Sequence, residues 1–144
     1  MNSKLVIIIL SLILLNLQCL KALDSLEKIS YDLAQMQLDA YNSKNLEKFL
    51  TVYSDDVEVF SFPDSLLYKG KEKMRNVYKT FFDKSPEVIC RLISRMVNGK
   101  YVIDQEYISN HYSGIDFEAV AIYEIKDGLI ARVWFFPRKS SYLK

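Results

Sequence analysis

The sequence contains few cysteine, histidine, proline and glycine residues. Its 144 residues include two Cys, one His, three Pro and four Gly. The single histidine, His111, excludes a His-rich metal site and a specific Cys–His catalytic pair, so we expect neither a metal ion nor a cofactor. His111 ends a predicted strand beside a loop, which favours a position at a rim. No Pro- or Gly-rich linker divides the chain, and its length predicts one domain.

The chain also lacks any long run of one charge sign. Nineteen Lys and Arg residues against eighteen Asp and Glu residues give a net charge of +1. The basic cluster Lys69, Lys71, Lys73 and Arg75 is interrupted by Glu72, which favours the solvated start of a helix over a nucleic-acid surface. We therefore expect no nucleic-acid partner.

A long apolar run is present only near the N-terminus. Residues 1–4 carry one Lys, and residues 5–15 are almost wholly apolar. A run of this length is short for a bilayer span but typical of a secretory signal, with Ala22 a reasonable cleavage site. Cys19 permits a second interpretation, the lipidated first residue of a bacterial lipoprotein, and an uncleaved anchor formed by residues 5–19 is a third.

Residues 1–22 are accordingly predicted to be an export signal or an anchor, and the protein to be periplasmic or extracellular. Membrane contact is expected only through this segment. If it is removed, Cys90 is the remaining cysteine and no internal disulfide can form. Cys90 lies in an apolar stretch, which favours an inert core thiol.

Three helices are predicted in the first part of the chain. The first covers residues 25–43, because apolar side chains recur there at spacings of three and four and so share one face. That predicted stripe comprises Leu26, Ile29, Leu33, Met36 and Ala40. Asn45 can cap a second helix over residues 46–53, and Gly70 precedes a third over residues 71–84.

Strands follow. The first covers residues 57–62, and residues 88–97, 101–111, 117–125 and 129–136 predict an antiparallel meander. Asn98-Gly99 and Asp127-Gly128 are two-residue hairpin signals, since both positions of such a turn favour positive φ. Helices followed by strands indicate an α+β domain over residues 23–137, and residues 138–144 form a polar tail.

Several segments resemble the nuclear transport factor 2-like superfamily, closest to its SnoaL-like, steroid Δ-isomerase-like members. The opening helices and first strand are carried by LDAYN at residues 38–42, NLEKF at 45–49 and YSDDVEV at 53–59. The last two strands are carried by AVAIYEI at 119–125 and IARVWF at 130–135. The resemblance implies a cone in which three N-terminal helices pack on a curved, mostly antiparallel sheet. It also implies an apolar pocket at one end and homodimers through the outer sheet face.

Ketosteroid isomerase, the member of this superfamily with the clearest chemistry, requires a carboxylate base and two acidic donors for an enolate oxygen. The resemblance carries the base to Ser61 and the donors to Gln37 and Ala121. A hydroxyl with an ordinary pKa cannot replace a carboxylate as base. We therefore do not expect ketosteroid isomerase activity.

Other polar side chains offer a different site. The resemblance places Ser61 and Ala121 on the concave face, and strand alternation adds Arg132 to it. Asp104 and Glu106 share one face of their strand, and parity leaves open whether that face is concave. The candidate catalytic residues are Asp104, Glu106, Arg132 and Tyr41. The predicted pocket comprises Tyr41, Val59, Ser61, Tyr78, Phe82, Ala121, Tyr123, Arg132, Trp134 and Phe136.

Three functions remain open from the sequence. The first is an exported protein that binds a small apolar or aromatic molecule without catalysis. The second is an isomerase, cyclase or hydrolase that uses Asp104 or Glu106 with Arg132 or Tyr donors. The third is an interaction module or homodimer that uses an outer sheet face, for which Phe60 and its apolar neighbours are candidates.

Overall fold

The computed structural model describes the backbone of residues 3–136 and the side chains of residues 7–136. Its elements are α1 (Ser3–Asn42), α2 (Leu46–Leu50), β1 (Tyr53–Ser61), β2 (Ser65–Lys69), α3 (Lys71–Lys84), β3 (Ile89–Asn98), β4 (Tyr101–Ser109), β5 (Phe117–Lys126) and β6 (Leu129–Phe135). The predicted tail and Pro137 lie outside the described residues.

The six strands form one open, curved sheet in the order β2-β1-β6-β5-β4-β3. Neighbouring strands are antiparallel except for β1 and β6, which pair in parallel. The helices pack on the concave face, so the α+β prediction and the β3–β6 meander are confirmed. The predictions missed β2, a short and mostly exposed edge strand that begins after the predicted break at Pro63.

Helix α1 is longer than predicted, and the face that it packs on the sheet differs from the predicted apolar stripe. It begins at Ser3 and contains no Gly or Pro, so nothing interrupts it near the predicted start at residue 25. Ile29 and Met36 of the predicted stripe are each 43% exposed, whereas Ser30 and Ala34 are fully buried. The small side chains of Ser30 and Ala34 let the helix approach the sheet closely, which the apolar spacing alone could not indicate.

The β3–β4 turn fixes the orientation of α1. Glu27 accepts a hydrogen bond from the Gly99 N–H at 3.0 Å, and Ser30 Oγ donates to the Gly99 carbonyl at 2.9 Å. The turn residues are Gly99 and Lys100, because Asn98 pairs with Tyr101 as the last residue of β3. The predicted Asn98-Gly99 turn is therefore displaced by one residue. The Asp127-Gly128 turn is as predicted, with positive φ at both positions.

Helix α2 is shorter than predicted. Asn45 caps it as expected, its side chain accepting from the Lys48 N–H at 3.0 Å. The helix ends at Leu50, and Tyr53 already belongs to β1, where it pairs with Ile130 of β6. Tyr53, which the apolar pattern assigns to the second helix, therefore belongs to a strand because it pairs within the sheet.

The C-terminal residue of α1 supports the edge of the sheet. The Asn42 carboxamide donates to the Cys90 carbonyl at 2.9 Å and accepts from the Cys90 N–H at 2.8 Å. It therefore makes the two bonds that a neighbouring strand would make at this position of β3. This contact holds the end of α1 against the sheet.

Candidate functional site

A half-enclosed cavity of about 330 Å³ lies between α1, α3 and the concave face of the sheet. Its wall is mainly apolar and aromatic, which is typical of sites for small organic molecules. It is lined by Gln37, Leu38, Tyr41, Val59, Leu67, Tyr68, Val77, Tyr78, Phe81, Cys90, Glu106, Ile108, His111, Phe117, Ala119, Tyr123, Phe135 and Phe136.

Half of the predicted pocket residues line this cavity, namely Tyr41, Val59, Tyr78, Tyr123 and Phe136. Ser61, Phe82, Ala121, Arg132 and Trp134 do not line it. Phe82 and Ala121 are buried in the packing behind the wall. Ser61 lies at the end of β1, opposite Phe135.

Arg132 and Trp134 lie on the outer face because β6 does not alternate regularly against β5. Ile125 pairs with Ile130 and Glu124 with Arg132, so the register shifts by one residue between these pairs. The expectation that Arg132 is concave is therefore wrong. Its guanidinium instead pairs with Glu58 at 3.0 Å and Glu124 at 3.3 Å.

Trp134 stacks on Phe60 on that outer face, with ring centroids 5.6 Å apart. These rings belong to the surface for which a partner or a second copy of the chain is predicted. The homodimer implied by the resemblance stays a prediction.

The parity of β4, which the sequence left open, is resolved by burial. Val102, Asp104, Glu106 and Ile108 are buried on the concave face, and the intervening residues are only half-buried. Both candidate carboxylates therefore point towards the helices.

Asp104 is occupied by an arginine that sequence reasoning did not identify. Arg95 of β3 lies directly opposite and makes a bidentate ion pair, with both N–O distances 2.7 Å. Arg95 also donates to Gln35 at 3.1 Å and lies over the Tyr31 ring. The two side chains of the pair are 5% and 0% exposed. Asp104 does not line the cavity, so this pair is a structural element beside the site.

Glu106 is the carboxyl that lines the cavity. It is 6% exposed, and the Tyr123 hydroxyl donates to its Oε1 at 3.4 Å. Within residues 3–136, no ion pair involves Glu106, because Arg95 is committed to Asp104. Burial first, and the neighbouring Asp104 charge second, raise the pKa of Glu106 to about 7. The Cys90 thiol and the Tyr123 hydroxyl act in the opposite direction. Both protonation states are therefore populated near neutral pH.

Gln37, on α1, is the second buried polar side chain of the wall. It is 6% exposed, and its Oε1 has no hydrogen-bond partner in the described part of the chain. The resemblance had placed a donor role near this position, but the apolar pattern of α1 gave no sign that Gln37 is buried.

His111 lies after β4 and also lines the cavity, although it is 6% exposed rather than at an open rim. Its Nδ1 accepts from the Ser113 N–H at 3.1 Å and lies 2.7 Å from the Ser113 Oγ. Its ring packs between those of Phe81 and Phe117. Across residues 3–136, no three His, Cys, Asp or Glu side chains are grouped so as to hold a metal ion.

Comparison with solved structures finds many relatives of the same fold. An uncharacterised cystatin-fold protein from Novosphingobium aromaticivorans is 21% identical, with a TM-score of 0.70 over 75% of this chain and 97% of that one. A candidate ketosteroid isomerase from Kribbella flavida is 18% identical, with a TM-score of 0.70 over 81% and 82%. A SnoaL-like protein of unknown function from Burkholderia thailandensis is 16% identical, with a TM-score of 0.66 over 78% and 96%.

These identities establish the fold alone. Among functionally curated proteins, none matches this sequence. The signature of the SnoaL-like domain family matches residues 34–133, from the C-terminal part of α1 into β6. This match covers more than half of the chain and includes most of the residues that line the cavity, whereas Phe135 and Phe136 lie beyond it. The protein therefore belongs to the SnoaL-like domain family and has the nuclear transport factor 2-like fold, which also hosts isomerases and cyclases.

Proposed function

We propose that the protein binds one small, predominantly apolar molecule in the cavity between α1, α3 and the sheet. The observation that carries this proposal is the wall itself, in which aromatic and aliphatic side chains surround three buried polar side chains, Gln37, Glu106 and His111. Such a wall gives affinity through apolar contact and orientation through a few polar groups. The volume of about 330 Å³ lies at the lower end of the range for ligand pockets, which favours a ligand of one or two rings.

Acid–base catalysis on the bound molecule is a second candidate function, favoured by Glu106 and Tyr123. A carboxyl whose pKa lies near 7 can both accept and return a proton under ordinary conditions. Of the predicted catalytic residues, Asp104 is held by Arg95 and Arg132 faces outward, so Glu106 is the remaining carboxylate base. The proton would move from a carbon beside a carbonyl group to Glu106 Oε, and then back from Glu106 to that carbon or its neighbour.

One experiment separates these functions, with 2-tetralone as a bicyclic, enolisable probe. We expect calorimetry to detect 2-tetralone binding to the wild type, and Ala119→Phe to weaken it by about tenfold or more. Ala119 lines the cavity opposite Glu106 in the β4–β5 register, so a Phe side chain there fills the space. Val120→Phe, one residue along and outside the cavity wall, is the matched control and should change binding by less than about twofold.

The same samples in deuterated buffer report catalysis. If Glu106 transfers protons, the wild type exchanges the α-hydrogens of 2-tetralone faster than buffer does, and the rate rises as pH passes through about 7. Glu106→Gln should then retain binding and lose the exchange. Binding without exchange supports a binding protein, whereas equal affinity of wild type and Ala119→Phe for 2-tetralone contradicts the proposed site.

Export is proposed on the exposure of the apolar segment at the start of α1. Residues 7–42 of α1 contain a stretch that is apolar and long enough to cross a membrane. None of that stretch is buried within the domain. The domain therefore does not use these side chains in its core, and signal sequences share this composition.

Expression in a bacterial host followed by fractionation and intact-mass measurement tests the export proposal. Cleavage after Ala22 leaves a chain that begins at Leu23, lipidation adds acyl mass at Cys19, and a retained anchor keeps the full mass in the membrane fraction. A full-length chain in the soluble cytosolic fraction contradicts all three forms of the proposal.

A further inference from the structure

Gln37 is a buried residue of the cavity wall, and its carboxamide oxygen has no hydrogen-bond partner among the described residues. Its side chain lines the cavity, is 6% exposed, and its Oε1 accepts no hydrogen bond from residues 3–136. Buried polar groups in folded proteins are nearly always hydrogen-bonded, and an unpaired one lowers stability. Departures of this kind from regular packing are expected at functional sites, where a bound ligand can supply the partner.

Three polar side chains of α1 and the cavity wall are engaged with other groups. The Ser30 hydroxyl, two turns earlier on α1, donates to the Gly99 carbonyl. The Tyr123 hydroxyl of β5 donates to Glu106 of the neighbouring strand β4. Gln35, two residues before Gln37, contacts Arg95 and Asp39 instead of the cavity. These groups therefore do not supply the missing partner of Gln37 Oε1, which belongs to a side chain that lines the cavity.

We propose that Gln37 determines specificity by recognising a hydroxyl group on an otherwise apolar ligand, that is, an alcohol or a phenol. This inference rests on the proposed binding function. A hydroxyl donates to Oε1 and accepts from Nε2, so it matches the carboxamide whichever way the amide is oriented. A carbonyl or an ether only accepts hydrogen bonds and leaves Oε1 unpaired. A site built to bond a ligand hydroxyl therefore discriminates against the analogue that lacks its hydrogen.

The stability of the ligand-free protein is the first test. Gln37→Met replaces the unpaired carboxamide by an apolar side chain of similar length, and we expect it to raise Tm by about 3 °C. Gln35→Met on the same helix is the matched control, which removes the acceptor of Arg95 and should lower Tm. A fall in Tm for Gln37→Met means that the carboxamide is structural and overturns the inference.

Selectivity between two matched probes is the second test. We expect the wild type to bind 2-tetralol about tenfold more tightly than 2-methoxytetralin, which has the same bicycle but no donor hydrogen. Gln37→Met should lose this preference through weaker 2-tetralol binding, with 2-methoxytetralin changed by less than about twofold.

The outcomes distinguish the inference from the function beneath it. Equal binding of both probes to the wild type overturns the role of Gln37 and leaves the binding function standing. A preference that survives Gln37→Met also overturns it. If neither 2-tetralol, 2-methoxytetralin nor 2-tetralone binds, the proposed function and this inference both fall.

Discussion

Asp104→Leu is expected to lower the free energy of unfolding by about 3–5 kcal/mol. The substitution removes the carboxylate and leaves the Arg95 guanidinium, whose side chain is 5% exposed, without its partner. An unpaired buried charge is far more costly than the loss of the pair's mutual attraction. Urea unfolding at pH 7.5 measures the loss. Arg132→Met is the control, because its ion pairs are half-exposed, and it should cost at most about 1 kcal/mol.

The double variant Arg95→Met/Asp104→Leu tests the reason for this loss. Removing both charges leaves no uncompensated ion, so most of the stability lost in Asp104→Leu should return. If the double variant is as unstable as the single one, the loss comes from packing, and the buried pair is not the cause.

Glu106→Gln is expected to abolish a pH dependence of stability in the neutral range. Because the native pKa of Glu106 is raised to about 7, the native state binds a proton that the unfolded chain releases near its ordinary pKa. The unfolded state therefore binds fewer protons between about pH 4.5 and 7, and native stability falls as pH rises through this window. The fall amounts to about 3 kcal/mol, and above pH 7 this contribution becomes constant.

Unfolding by urea at half-unit steps from pH 5 to pH 8.5 measures this slope. The carboxamide introduced by Glu106→Gln carries no charge at any pH, so the slope should disappear and the variant should exceed the wild type in stability at pH 8. Glu118→Gln removes an exposed carboxyl on β5 and should keep the wild-type slope. A slope that is unchanged in Glu106→Gln would show that another group is responsible.

The sequence predicted the elements that local chemistry specifies. Helix α3 begins and ends at the predicted residues because Gly70 precedes it and its apolar face repeats regularly. The Asp127-Gly128 turn was predicted for the same kind of reason, since both residues tolerate positive φ. Such signals depend on neighbours in the chain and do not require knowledge of the tertiary packing.

The orientation of side chains was harder to predict where the backbone leaves its regular period. A one-residue register shift between β5 and β6 turns Arg132 and Trp134 to the outer face. No residue type in β6 would have predicted that shift. The face of α1 was misjudged because close packing favours the small Ser30 and Ala34 over the larger Ile29.

The Arg95–Asp104 pair, in contrast, could have been predicted from the sequence through the register of the β3–β4 hairpin. A hairpin in which Asn98 pairs with Tyr101 sets 95 opposite 104, so the turn at Gly99 specifies this contact from the sequence. The predicted turn, displaced by one residue, concealed it. Once Arg95 neutralises Asp104, Glu106 follows as the one candidate carboxyl left facing the cavity.

A carbon-13 NMR titration of the Glu106 side-chain carboxyl, assigned by comparison with Glu106→Gln, tests the central claim most directly. That claim is that a buried carboxyl, which forms no ion pair in the described part of the chain, faces a cavity that accepts an apolar ligand. The account predicts a titration midpoint near pH 7 and a change of the Glu106 resonance when 2-tetralone is added. A midpoint near the ordinary value of about 4.5, or a Glu106 chemical shift that is unchanged by 2-tetralone, would contradict it.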